Sequence, residues 1–238
     1  MGDYDAVSWT YHIAANRLWN SEDRGDLPLA WAFNPNLSER IPMVWDYFYA
    51  TATDNDYFVG GDSGAGYVNP TLMLEGQRQH SNLPEGLTAW AEWCTSWYKK
   101  YDITITGMIL NGNNSYPGTD VLSMYQKFSP DGIGVWNWPN NDSGMSVVNG
   151  TGVSGMSQYW AISQLGTAEE GANSLIDIID NRRNPRFYPI KCCIINPTLV
   201  KESVELAQQK LDAEGKGRTI EVVDPYTFFA MIARLKEK

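Results

Sequence analysis

The chain opens Met-Gly-Asp-Tyr-Asp, and the Asp3-x-Asp5 pair is its sharpest acidic spacing. On a strand, residues two apart share a face at about 6.5–7 Å. Paired carboxylates at that range can hold a metal or divide acid and base roles in glycoside hydrolysis. At a helix start the same residues would serve only as caps. Asp62 is the third acid expected in the same space. It sits in the turn Gly60-Gly61-Asp62-Ser63-Gly64-Ala65-Gly66-Tyr67-Val68-Asn69-Pro70, whose glycines allow positive φ and a close backbone approach to a ligand. Ser63 and Tyr67 add hydroxyls and a ring to that turn.

Several chemistries are disfavoured. The turn lacks the third glycine of a dinucleotide fingerprint and the Lys-Ser/Thr of a phosphate loop. Only His12 and His80 are available as a base for a Ser63 nucleophile, and neither has triad spacing. Two histidines also argue against a zinc hydrolase, so the expectation is no resident cofactor. Asp3, Asp5 and Asp62 still admit a magnesium or calcium ion, which prefers oxygen ligands. Cys94, Cys192 and Cys193 read as buried free thiols. A formal charge of −10, from 28 acidic and 18 basic residues, speaks against nucleic acid, whose phosphates need a basic face. No apolar run reaches the roughly 18 residues of a membrane-spanning helix. Ten Trp, thirteen Tyr and seven Phe exceed the needs of one core and point to rings lining a surface or cleft, as both sugar-binding sites and many interfaces use.

The elements that must position these residues alternate. Short apolar runs at residues 27–33, 57–61, 103–110, 132–138 and 188–195 predict strands, with further strands at 1–5, 145–148 and 219–223. Helical spacing covers 37–51, 84–101, 119–128, 168–182, 197–213 and 225–236. Residues 139–157, rich in Asn, Gly and Ser, read as a loop over the site. Alternating strands and helices argue for an α/β fold with a mostly parallel sheet. A β/α barrel of seven or eight strands is the first expectation, and an open doubly wound sheet the alternative. One domain over 1–238 is expected.

In such folds the ligand lies beyond the carboxyl ends of the strands. The residues there are Asn34 and Asn36, then Asp62, Ser63 and Tyr67, then Asn111 and Asn113, Trp136, Asn149, Asn196 and Asp224. Asn and Asp also form turns without any ligand, and spacing alone leaves both explanations standing. Asn34, Asn111, Asn113, Ser63, Tyr67 and Trp136 are the candidates to orient a sugar.

The turn at 64–70 resembles the signature of the GxGYxYP glycoside hydrolase family, with Asn69 where the second tyrosine would stand. Met-Gly-Asp-Tyr-Asp at the start, Leu-Ala-Trp-Ala-Phe-Asn-Pro at 29–35 and Asn55-Asp56-Tyr57-Phe58 are similar to that family's C-terminal domain. The resemblance implies a carbohydrate-active β/α domain preceded in relatives by an N-terminal domain, and a context of export. It also implies a carbohydrate substrate, for which Asp3, Asp5 and Asp62, read above from their spacing, are the candidates for acid, base or nucleophile. Two other readings stand beside it: a non-catalytic carbohydrate-binding or scaffolding domain, and a carboxylate-bound divalent-metal hydrolase.

Overall fold

The computed structural model describes all residues except 1, 5, 75–83, 112–115, 137, 139–143, 157–165, 182–187, 193 and 237–238, with backbone alone at 2–4, 181 and 236. Among the described residues seven strands form one sheet: β1 Gly2–Tyr4, β2 Leu29–Phe33, β3 Asp56–Gly60, β4 Ile105–Ile109, β5 Gly132–Val135, β6 Met145–Val148 and β7 Thr151–Gly155. Their spatial order is β1-β2-β3-β4-β5-β7-β6, parallel throughout except for the antiparallel β6–β7 pair. Helices α1 Pro42–Thr51, α2 Leu87–Lys100, α3 Gly118–Gln126, α4 Ala168–Asn181, α5 Pro197–Ala213 and α6 Pro225–Lys236 flank it, with a π-helix at Trp9–Leu18.

The two faces of the sheet follow from strand alternation. On β2, Trp31 and Phe33 point to one side, where Trp19, Trp45 and Phe48 meet them in a buried aromatic cluster. Phe33 stacks on Phe48 at 4.8 Å and Trp19 lies 5.0 Å from Trp31. The other face is built small. Ala32, Val59 and Ile105 receive Phe228, Phe229 and Ile232 of α6. A Cβ on Gly132 would stand 2.3 Å from the Phe229 ring, and one on Gly152 would stand 2.3 Å from the Phe229 carbonyl oxygen. Glycines on β5 and β7 therefore let α6 lie close against the sheet.

The expected barrel closure is not seen. Among the described residues the ladders run from β1 at one edge to β6 at the other, and α6 occupies the face that a barrel would turn inward. The order is not doubly wound either, because it advances without reversing apart from the terminal hairpin. The expected strand at 219–223 is absent, and residues 188–192 make only a single bridge, at Lys191. Those runs are apolar because Tyr188, Ile190, Cys192, Ile195 and Ile220 pack against α4 and α5.

Part of the expected loop at 139–157 is instead the β6–β7 hairpin. Asn149 and Gly150 turn it with φ of 48° and 83°, the positive pair that a two-residue turn matched to strand twist requires. Pro42 stands in the first turn of α1, as expected. Asn196 caps α5, its side chain accepting from the Thr198 N–H at 2.9 Å. Asp224 accepts from the Thr227 N–H, also at 2.9 Å. Asn149, Asn196 and Asp224 are thus accounted for by local turn and cap chemistry.

Candidate functional site

Backbone bonds carry the parallel ladders past the strand ends. Gly61 N–H donates to Phe33 O at 2.8 Å, Ser63 N–H to Met108 O at 2.7 Å, and Trp136 N–H to Ile109 O at 2.9 Å. The residues that follow, Asn34, Asp62, Asn111 and Trp136, therefore line one carboxyl edge of the sheet. Asn34 and Asn111 are each 2% exposed and Asp62 is 1% exposed. Trp136 is half-buried. Asp3 pairs with Ala32 on β1, but its side chain, all of Asp5 and Asn113 lie outside the described residues. Of two further acids on the chain, Asp120 is exposed on α3 and Asp142 is outside the described residues.

The turn after β3 is strained and held from several sides. Asp62 and Ser63 adopt φ of 25° and 72°, a region that costs a residue with a Cβ roughly 1–2 kcal/mol. Ser63 compensates. Its Oγ donates to Leu110 O at 3.1 Å and accepts from Leu110 N–H at 2.9 Å. Its carbonyl accepts from the Tyr125 hydroxyl at 2.6 Å, which in turn accepts from Trp90 Nε1 at 3.1 Å. Fully buried and with its hydroxyl committed to the backbone, Ser63 pins the turn to β4. Among the described residues the bonds of its hydroxyl are structural ones, to Leu110.

The two motif glycines seat the turn on α2. Gly64 has φ 122°, and a Cβ there would lie 2.8 Å from Cys94 Sγ. Gly66 has φ 142° and faces Trp90 and Asn36. Ala65 O accepts from Trp93 Nε1 at 2.9 Å. Burial pushes the Cys94 thiol up to about 12, the Ala65 N–H offsetting part of the effect. Cys94 therefore stays a protonated packing group at neutral pH. Beyond the glycines the chain emerges, and Tyr67 is 66% exposed.

Polar atoms collect along this stretch. Asn111 Oδ1 accepts from Thr71 N–H at 3.2 Å, tying the motif to the end of β4. Asn36 Oδ1, Asn69 Oδ1 and Thr71 Oγ1 are buried with no hydrogen-bond partner among the described residues. Buried polar atoms are nearly always paired, so three in one stretch mark a place that takes donors from elsewhere. Asn69 is the residue that departs from the motif.

Lys191 also faces the carboxyl edge and was not among the sequence candidates. It is 3% exposed, with Nζ 3.9 Å from the centre of the Trp136 ring and 3.8 Å from Met108 Sδ. A buried ammonium over an aromatic face is a cation–π contact. Nothing in the apolar run around it distinguishes this lysine. Among the described residues no three His, Cys, Asp or Glu side chains group as metal ligands.

Fold and edge together define an α/β domain with a mostly parallel sheet and a buried polar rim at the strand ends. The family model for the GxGYxYP putative glycoside hydrolase C-terminal domain matches residues 1–233, and the chain belongs to that family. No curated protein matches it. Among solved structures, the fold is similar to that of a putative hydrolase from Bacteroides thetaiotaomicron VPI-5482, with a TM-score of 0.71 and 18% identity. The match covers 99% of this chain and 44% of that one, so the chain spans under half the length of that relative. Among the described residues no helix is long and apolar enough to cross a membrane.

Proposed function

We propose that the domain is a carbohydrate-active enzyme that hydrolyses glycosidic bonds at the carboxyl edge of its sheet. The carrying observation is the set of buried acceptors Asn36 Oδ1, Asn69 Oδ1 and Thr71 Oγ1, in or against the motif turn that carries Asp62, with Thr71 tied to Asn111. A sugar presents many hydroxyl donors, and such acceptors are what it would satisfy. Trp136, held by Lys191, offers a ring for stacking, and Tyr67, Asn34 and Asn113 are the remaining contacts in this reading. In this reading Asp62 supplies one carboxylate, and Asp3 on β1 or Asp5, two residues on in the sequence, supplies the second that acid/base or nucleophilic hydrolysis requires. The family membership supports the same reading.

The test is a panel of aryl glycosides and polysaccharides with mass detection of products. Asp62→Asn and Asp5→Asn are each expected to abolish turnover while the unfolding temperature stays within a few degrees. Full activity in both variants sinks the assignment. One observation favours a second reading, a non-catalytic sugar-binding module: Asp62 is almost wholly enclosed in a positive-φ turn, where a carboxylate can serve structure alone. Saturable oligosaccharide binding without any product would decide for it. A divalent cation on the same oxygens, with Asp3, Asp5 and Asp62 as its carboxylates, is read out by thermal stabilisation with calcium or magnesium that Asp3→Ala removes.

A further inference from the structure

A second site lies away from the acidic rim. Residues 188–192 divide between two environments. Lys191 turns to Trp136, while Ile190 and Cys192 turn to a cavity of about 470 Å³ between α4, α5, α6 and the start of β2. Leu29, Leu175, Ile178 and Phe228 are among its apolar walls. Interior packing faults are mostly no larger than a water molecule. An apolar cavity of about 150 Å³ already accepts benzene, and this one is several times larger and within the range of small-molecule sites.

One polar group on its wall sets the chemistry of the occupant. Arg218 lines the cavity; its Nη1 is bound to Asp180 and its Nη2 to Glu214. Its Nε is buried with no acceptor among the described residues. Lys216 also bridges to Glu214, so the two carboxylates and two cations balance, and Glu221 on the lining leaves the wall net negative. An anionic head would be repelled there, whereas a neutral oxygen would satisfy the remaining N–H.

We propose that this cavity binds a neutral, largely apolar small molecule whose single hydrogen-bond acceptor is held by Arg218 Nε. The proposal is independent of the carbohydrate reading, since the cavity shares no residue with the rim. The probe is prodan, a neutral naphthalene ketone with environment-sensitive emission, titrated into the full chain beside dodecanoate, an anionic chain of comparable apolar size. Saturable one-to-one prodan binding with blue-shifted emission is expected, and dodecanoate should displace it poorly.

Arg218→Lys keeps a cation for both carboxylates but removes the Nε donor, and should weaken prodan about tenfold, the scale of one hydrogen bond to a charged donor. Val204→Phe fills the cavity and should remove binding while circular dichroism stays unchanged. Should that variant misfold, the wild-type chain decides. Prodan is expected to protect the buried free thiol of Cys192 from N-ethylmaleimide, read by peptide mass spectrometry. Absence of saturable binding, equal affinity for dodecanoate, no effect of Arg218→Lys, or an unprotected Cys192 would each overturn the proposal.

Discussion

Replacing Ser63 separates a structural hydroxyl from a substrate-binding one. In the fold this Oγ both donates to and accepts from Leu110, at 3.1 and 2.9 Å, in a fully buried position. Ser63→Ala leaves a buried N–H and a buried C=O without that partner, at roughly 1–3 kcal/mol for each unsatisfied group. A total of about 2–4 kcal/mol is expected, since the pocket can relax slightly. For a domain of this size, each kcal/mol lowers the unfolding temperature by about 2–4 °C, giving a fall of roughly 5–15 °C. Ser63→Gly loses the same bonds but relieves the φ of 72°, so it should be about 1 kcal/mol less damaging than Ser63→Ala. Thermal and urea unfolding measure both. A Ser63→Ala protein of wild-type stability with weakened sugar binding would refute the reasoning and return Ser63 to the ligand.

The remaining predictions address the core, the acids and pH. Gly132→Ala should cost about 1–3 kcal/mol through overpacking against Phe229, and Phe229→Leu in the same chain should recover part of it; simple additivity in a double-mutant cycle would argue against the close seating of α6. Asp56, at the amino end of β3, accepts from Arg24, Trp31 Nε1 and Thr53, so Asp56→Asn should destabilise by about 3–5 kcal/mol as a broken buried pair does. Any turnover that survives in folded Asp56→Asn should be normal, opposite to the outcome for Asp62→Asn. The Cys94 thiol has its folded value raised from 9.0 to about 12, so above pH 9 the unfolded chain releases a proton that the folded chain retains. Stability should therefore fall as pH rises from about 9 towards 12 and be unaffected below that window. Cys94→Ala should make the decline between pH 9 and 10 shallower, the tyrosines with raised values contributing equally in both proteins, and an unchanged slope there would count against the burial argument.

The helices were legible because their apolar residues recur at three- and four-residue steps. Leu87, Trp90, Ala91, Cys94, Trp97 and Tyr98 form the buried stripe of α2, and Pro197–Ala213 and Pro225–Lys236 have the bounds that their caps and prolines indicate. What misled was apolarity without period. Residues 188–195 and 219–223 read as strands, yet Tyr188, Ile190, Cys192, Ile195 and Ile220 cover helices, and composition cannot distinguish a surface that packs on a sheet from one that packs on α4 and α5. The small face of the sheet was legible only in hindsight. Ala30, Ala32, Gly132 and Gly152 carry no hydrophobic signal strong enough to announce that a helix lies on them. The Asn149-Gly150 hairpin had its signal in plain view, but the polar stretch around it outweighed that dipeptide.

The motif turn divides into two kinds of residue, and the division explains why part of the site could be read and part could not. Gly64 is fixed by packing, since a Cβ there would press on Cys94 Sγ, and Gly66 by its φ of 142°, which residues with a Cβ rarely adopt. They would be required whatever the ligand, so glycine spacing locates the turn without describing its chemistry. Tyr67, Asn69 and Thr71 follow, one largely exposed and two with buried oxygens lacking partners among the described residues. Lys191 arrives at the same edge from more than a hundred residues away, carried by a chain segment whose neighbours face the apolar cavity. Sequence proximity could reveal the first group, whereas the lysine becomes visible only once the fold has brought β4, β5 and that segment together.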